Sequence, residues 1–209
     1  MKGLILKDLY MTAKYFRNYL FILLIFLAAS LVQQNTLFFV FYPFMICGML
    51  PVSLVAYDEK FHWDIYCGAL PVTRDMVVSA KYLLSLMAQG AIFLISAIVQ
   101  GVRIALQGPF DAQSYLVLLS LLFIVSLTSS SVTMPFMFKL GVEKGRTAYY
   151  VMIGIVLGAG YGFAGFFNEQ LQSTIPFGTI LVLGCLAAAA VYGLSWYLSI
   201  RFYRSRELH

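Results

Sequence analysis

The sequence is short of charge. Asp, Glu, Lys and Arg make up 11% of its 209 residues, against 61% hydrophobic residues. A soluble domain carries about 25% charged residues. With a mean hydropathy of +0.86, the chain lacks the polar surface to coat a soluble fold, and the membrane is the environment that suits it. The apolar runs are long and do not alternate, which excludes a porin-like barrel and leaves helices. Catalytic signatures are missing too. Without GxxxxGK[ST] no P-loop binds ATP, and without HExxH a zinc protease is excluded. His62 and His209 both fall outside the apolar runs, so a serine–histidine intramembrane protease lacks its base. No charge sits in the middle of a candidate span, where ion-driven transporters keep theirs. Cys47, Cys67 and Cys185 have no CxxC spacing and give neither a disulfide framework nor a zinc site. The length leaves room for one compact bundle and no sizeable soluble domain.

What is present is a series of uncharged stretches separated by clusters of charge. A span needs about 20 apolar residues. Gln33-Gln34-Asn35-Thr36 divides the first long stretch into spans 18–33 and 37–56. Further spans follow at 82–103, 112–138, 147–168 and 176–200. The expected fold is an all-α integral membrane protein, a single transmembrane domain over 1–209 with six transmembrane helices. Six spans put both termini on one side, and every lysine and arginine except Arg103 falls on that side. The positive-inside rule makes it the cytoplasm. A signal peptide cleaved after Leu27-Ala28-Ala29-Ser30 is disfavoured by the long basic segment before it. The formal charge of +5 is then basic residues facing anionic membrane lipid, and nucleic acid is not an expected partner.

Residues 1–17 form an N-terminal interfacial helix. Ile5, Leu6, Leu9, Ala13 and Phe16 share one arc, with Lys7, Lys14 and Arg17 on the other side, the pattern of an amphipathic helix lying in the inner interface. The one substantial cytoplasmic connection is 57–81. Its punctuation is a helix ending near Cys67 at Gly68, a corner at Pro71, and a new helix capped by Thr73 with Asp75 in its first turn. Phe61, Trp63, Ile65, Tyr66 and Cys67 cluster at helical spacing, an aromatic knob rimmed by charge. That composition suits a docking surface, a loop folded back on the bundle, or aromatics at headgroup level.

Lys7-Asp8-Leu9, Tyr57-Asp58-Glu59-Lys60, Trp63-Asp64, Leu70-Pro71-Val72-Thr73-Arg74 and Ser79-Ala80-Lys81-Tyr82-Leu83 together resemble the compact six-span permease subunits of bacterial ABC-2 type exporters. The resemblance spans nearly the whole chain and is most specific between Tyr57 and Leu83. It implies a plasma-membrane permease with no ATPase of its own. A second permease copy, identical or paralogous, and two separate cytoplasmic ATPase subunits would complete it. The chain would bind no cofactor, with ATP and magnesium on the partner. By the resemblance, Asp58, Glu59, Lys60, Phe61, Trp63 and Asp64 contact the ATPase as a coupling helix, and Pro71, Thr73, Arg74 and Lys81 hold the corner. The first helix would match the connecting helix. Similar proteins export amphipathic peptides, including phenol-soluble modulins, or serve in peptide-antibiotic resistance, so the expected cargo is an amphipathic peptide or a lipid-like compound. One departure is the short external stretch 165–175, where larger members carry marked external helices.

Inside the spans, Ser126, Thr128, Ser129, Ser130, Ser131, Thr133 and Pro135 form either a packing and bending device or a polar stripe along a conduit. Gly154, Gly158 and Gly162 make a tandem GxxxG face, expected to pack within the subunit rather than at a dimer seam. Arg103 and Asp111 flank the external Gln107-Gly108-Pro109 turn, either as a surface pair or as a contact for substrate or a lipid headgroup. Two other functions compete with export. A substrate-capture subunit of a vitamin or metal importer would show an outward polar pocket and short cytoplasmic loops. An intramembrane enzyme would use Asp58, Glu59 and Asp64, whose spacing fits no metal motif.

Overall fold

The computed structural model describes residues 2–15, 17–32, 37–63, 66–67, 72–107, 112–169 and 177–205. Among them there is no strand. Eight helices follow in order: α1 (Lys2–Tyr15), α2 (Arg17–Val32), α3 (Leu37–Gly48), α4 (Leu50–Lys60), α5 (Arg74–Gln107), α6 (Ala112–Leu140), α7 (Val142–Glu169) and α8 (Phe177–Ser205). Phe16, Gln33–Thr36, Asp64, Ile65, Gly68, Leu70, Pro71, Gly108, Pro109, Asp111, 170–175 and Arg206 lie outside the described residues, as do the side chains of Gln107 and Gly162.

Phe39–Lys60, Arg74–Leu106, Tyr115–Leu140 and Gly178–Arg204 are long and apolar enough to cross a membrane, and Phe21–Leu31 is a shorter apolar stretch. The protein is an all-α membrane protein. α5 has 34 residues, about 50 Å at the helical rise, against a hydrocarbon core of about 30 Å. It therefore projects beyond the bilayer at its charged Arg74 end. Lys139 lies 4.9 Å from the Phe202 ring, and Arg204 pairs with Asp75, so the ends of α6 and α8 and the start of α5 meet at one basic end.

Two breaks have local causes. The chain 37–60 is not one helix: it is interrupted at Gly48–Met49 because Pro51, in the first turn of α4, has no N–H for the preceding turn. Met49 N–H bonds to Ile46 O instead, which leaves the Met45 carbonyl to accept from the Tyr149 hydroxyl of α7. Gly48 lies against Ser129 of α6 so closely that a Cβ there would collide with its side chain. The second break is the single residue Gly141 between α6 and α7, at φ 88°, where glycine alone meets no steric penalty.

α6 is the central helix, flanked by α7 and α8 and reached by α3, α4 and α5. Lipid offers apolar side chains no less than a protein core does, so association rests on close packing and hydrogen bonds. Tyr82 of α5 shows both. It stacks on Trp196 and meets Tyr192 edge-on, each at 5.5 Å. Its hydroxyl lies 2.7 Å from both Ser195 and Ser199 of α8.

Candidate functional site

The hydroxyl-rich end of α6 is interior, with Ser126, Ser129, Ser130, Ser131 and Thr133 all buried. Thr128 and Ser131 bond back to the carbonyls four residues earlier. Ser130 meets Ser85 at 2.8 Å and accepts from Gln89 Nε2 at 2.5 Å. Ser126 and Ser130 tie α6 to Gln89 and Ser85 of α5. Ser85 and Gln89 continue a buried polar stripe on α5 with Lys81 and Gln100. Lys81, Ser85 and Gln89 keep a four-residue spacing that is legible in the sequence, and Gln100 returns to the same face about three helical turns later.

Gly154 and Gly158 correct an expectation. A Cβ at either would meet nothing within 4 Å, and Tyr150, Val151 and Ile155 beside them are exposed. Among the described residues, nothing packs against α7 at Gly154 and Gly158.

At the basic end, α1, α4 and α5 converge. The stripe that α1 turns inward contains Leu4 and Asp8, both buried, whereas Leu6, Leu9 and Tyr10 are exposed. Lys7 is not on an outward basic face with Lys14 and Arg17, which are exposed. Its ammonium donates to Asp58 Oδ1 at 2.6 Å, lies 3.2 Å from Asp8 Oδ1 and sits 4.0 Å from the Trp63 ring centroid, a cation–π contact. Lys81 donates to Asp58 Oδ2 at 2.6 Å and to Asp8 Oδ1 at 3.0 Å. Relative exposure is 2% for Asp8, 7% for Asp58 and 3% for Lys81. Charges this far from water persist only when paired, and here two cations and two anions balance.

The residues of the expected knob therefore divide. Asp58 faces inward and is committed to lysines of its own chain. Trp63 and Cys67 pack against Leu4, Val77 and Ala80, so the tryptophan is held by α1 and α5. Glu59 is half-buried. Lys60, Phe61, His62 and Tyr66 are outward, with Phe61 55% and Tyr66 68% exposed. α4 does not itself run to Cys67, although Trp63, Tyr66 and Cys67 are helical beyond it. It ends at Lys60, where Phe61 N–H bonds to Tyr57 O and His62 N–H to Glu59 O. His62 takes a left-handed φ of 52°, the conformation that closes helix C-termini. Beyond the corner, the Thr73 carbonyl accepts from Met76 and Val77 N–H as α5 begins. Arg74 donates to the Arg204 carbonyl at 3.0 Å, and Arg204 Nε donates to Asp75 Oδ1 at 2.7 Å. Arg74 thus caps α8 and fixes where α5 starts.

Asp8 is the member of this site that sequence reasoning missed. Its signal was the helical spacing of Leu4, Asp8 and Met11, which places an acid on an inward stripe. Among the described residues no group of His, Cys, Asp and Glu side chains is placed to hold a metal ion.

A family described as ABC-2 family transporter protein matches residues 3–204. No curated protein and no solved structure matches the chain. The match takes in every element that builds the basic corner, from α1 to the last turn of α8, and on it the chain belongs to the ABC-2 family of transporter proteins.

Proposed function

We propose that this chain is the permease subunit of an ATP-driven exporter in a bacterial plasma membrane. Its basic end faces the cytoplasm, and segment 59–67 docks on a separate ATPase subunit that carries ATP and magnesium. The carrying observation is the division of the corner. Lys60, Phe61, His62 and Tyr66 stand outward beyond an apolar helix, while Asp58 and Trp63 root the same segment in the bundle. Exposed aromatics beside a cation are the chemistry of an interface anchor. A root in α1 and α5 lets a push on the segment reach a membrane helix. The open glycine face of α7 supports assembly with a second permease copy. An amphipathic peptide or lipid-like cargo accords with a bundle whose exposed spans carry large apolar side chains.

The test is Phe61→Asp combined with Tyr66→Asp. Co-purification of the ATPase should fall at least roughly tenfold, the equivalent of about 1.4 kcal/mol, with loss of ATP-driven efflux of an amphipathic helical peptide from inverted vesicles. Membrane insertion should be unchanged. Undiminished ATPase association would remove the segment from the docking role.

A further inference from the structure

We propose that Lys7, Asp8, Lys81 and Asp58 form a closed charge ring that seats α1 in one register on the α4–α5 corner, with Lys81 as its positioning residue. Each member touches two of opposite sign. Lys7 reaches Asp8 and Asp58, and Lys81 reaches the same two carboxylates. The ring divides along the helix boundary into two neutral halves. Lys7 and Asp8 belong to α1, whereas Asp58 and Lys81 belong to the corner. Of the contacts joining the halves, Lys7–Asp58 and Lys81–Asp8 cross from α1 to the corner. Separation strands no net charge on either side, so the ring supplies register and attachment without making α1 indispensable to the fold of the corner. Lys7 also covers Trp63, and Leu4 packs with Val77 and Ala80 in the cluster that Trp63 joins. α1 therefore follows the exposed segment rather than the membrane surface alone. This inference deepens the docking function proposed above, but the ring can be tested without any ATPase.

Neutral halves predict which combinations of substitutions are tolerated. Lys81→Met leaves two carboxylates to Lys7, and Asp8→Asn leaves two ammoniums to Asp58. Asp8→Asn with Lys81→Met leaves the balanced Lys7–Asp58 link across the boundary. Lys7→Met with Asp8→Asn leaves the corner balanced and α1 without an ionic link to it.

The experiment places spin labels at the exposed positions Tyr10→Cys and Met76→Cys, in a full-length chain with Cys47, Cys67 and Cys185 replaced by alanine. Distance distributions between α1 and α5 are measured in lipid nanodiscs. The unaltered ring should give one narrow distance. Either single substitution should lose that narrow peak or prevent accumulation of the chain. The pair across the boundary should restore it. The α1 pair should yield a chain that accumulates and unfolds at the parental temperature with the narrow peak lost. A role in packing alone would not show this rescue by charge balance. The ring is overturned if the pair across the boundary is as broad as the singles, or if the α1 pair keeps the narrow distance. Failure of ATPase docking is read separately, from the Phe61/Tyr66 variant, and leaves these distances untouched.

Discussion

Ser195 of α8 donates its hydroxyl to the carbonyl of Ser131 on α6 at 2.7 Å, the carbonyl that Pro135 leaves without a helical donor. Proline has no N–H to offer the residue four before it, and a bilayer has no water to take its place. The kink-forming residue and its remedy therefore sit on different helices, and the bond fastens α8 to α6 where the helix is weakest.

Ser195→Ala should destabilise the protein by about 1–2 kcal/mol, the usual consequence of stranding a buried acceptor. Ser199→Ala, which removes only a second partner of Tyr82, should have less effect. Pro135→Ala restores a donor to Ser131. In a double-mutant cycle the Ser195→Ala penalty should shrink in the Pro135→Ala background, as read by thermal unfolding in detergent. Additive effects would show that Pro135 and Ser195 act independently.

Gly48→Ala should destabilise by about 1–3 kcal/mol, in the range of overpacking, since the new methyl meets Ser129. Ser129→Gly in the same chain should recover most of the loss. The check is unfolding temperature for both single variants and the pair.

Lys81→Met should cost about 3–5 kcal/mol, because it leaves buried carboxylates undercompensated. Arg204→Ala breaks an ion pair at the surface, where Arg204 is 64% exposed, and should leave unfolding nearly unchanged in physiological salt. Comparing the two midpoints at low and high salt separates them. Only the exposed pair should respond to ionic strength.

Gly158→Leu should leave the unfolding temperature of the single chain intact, because the space beside that glycine is open. If the α7 face joins two copies, the same substitution lowers the dimer fraction in nanodiscs, measured by single-molecule photobleaching. A stability loss in the monomer would place a neighbour at Gly158 that the fold described here lacks.

Composition and periodicity determined the class. Apolar runs of bilayer length have few ways to satisfy their backbone other than helices, and the helices α2 to α8 stand where those runs stand. The start of a helix after Thr73 and the basic bias of one end were legible for similar reasons, since turn residues and charge act locally. Tertiary structure decided which side of each residue faces inward. Asp58 and Trp63 belong to the same segment as Phe61 and Tyr66, yet the first two are committed to α1 and α5 while the others are largely exposed. Asp8 became part of the site only because Lys81, 73 positions away, brought a cation to it. A buried charge is stable only with its partner, and a partner that distant along the chain is supplied by the folding of the whole bundle.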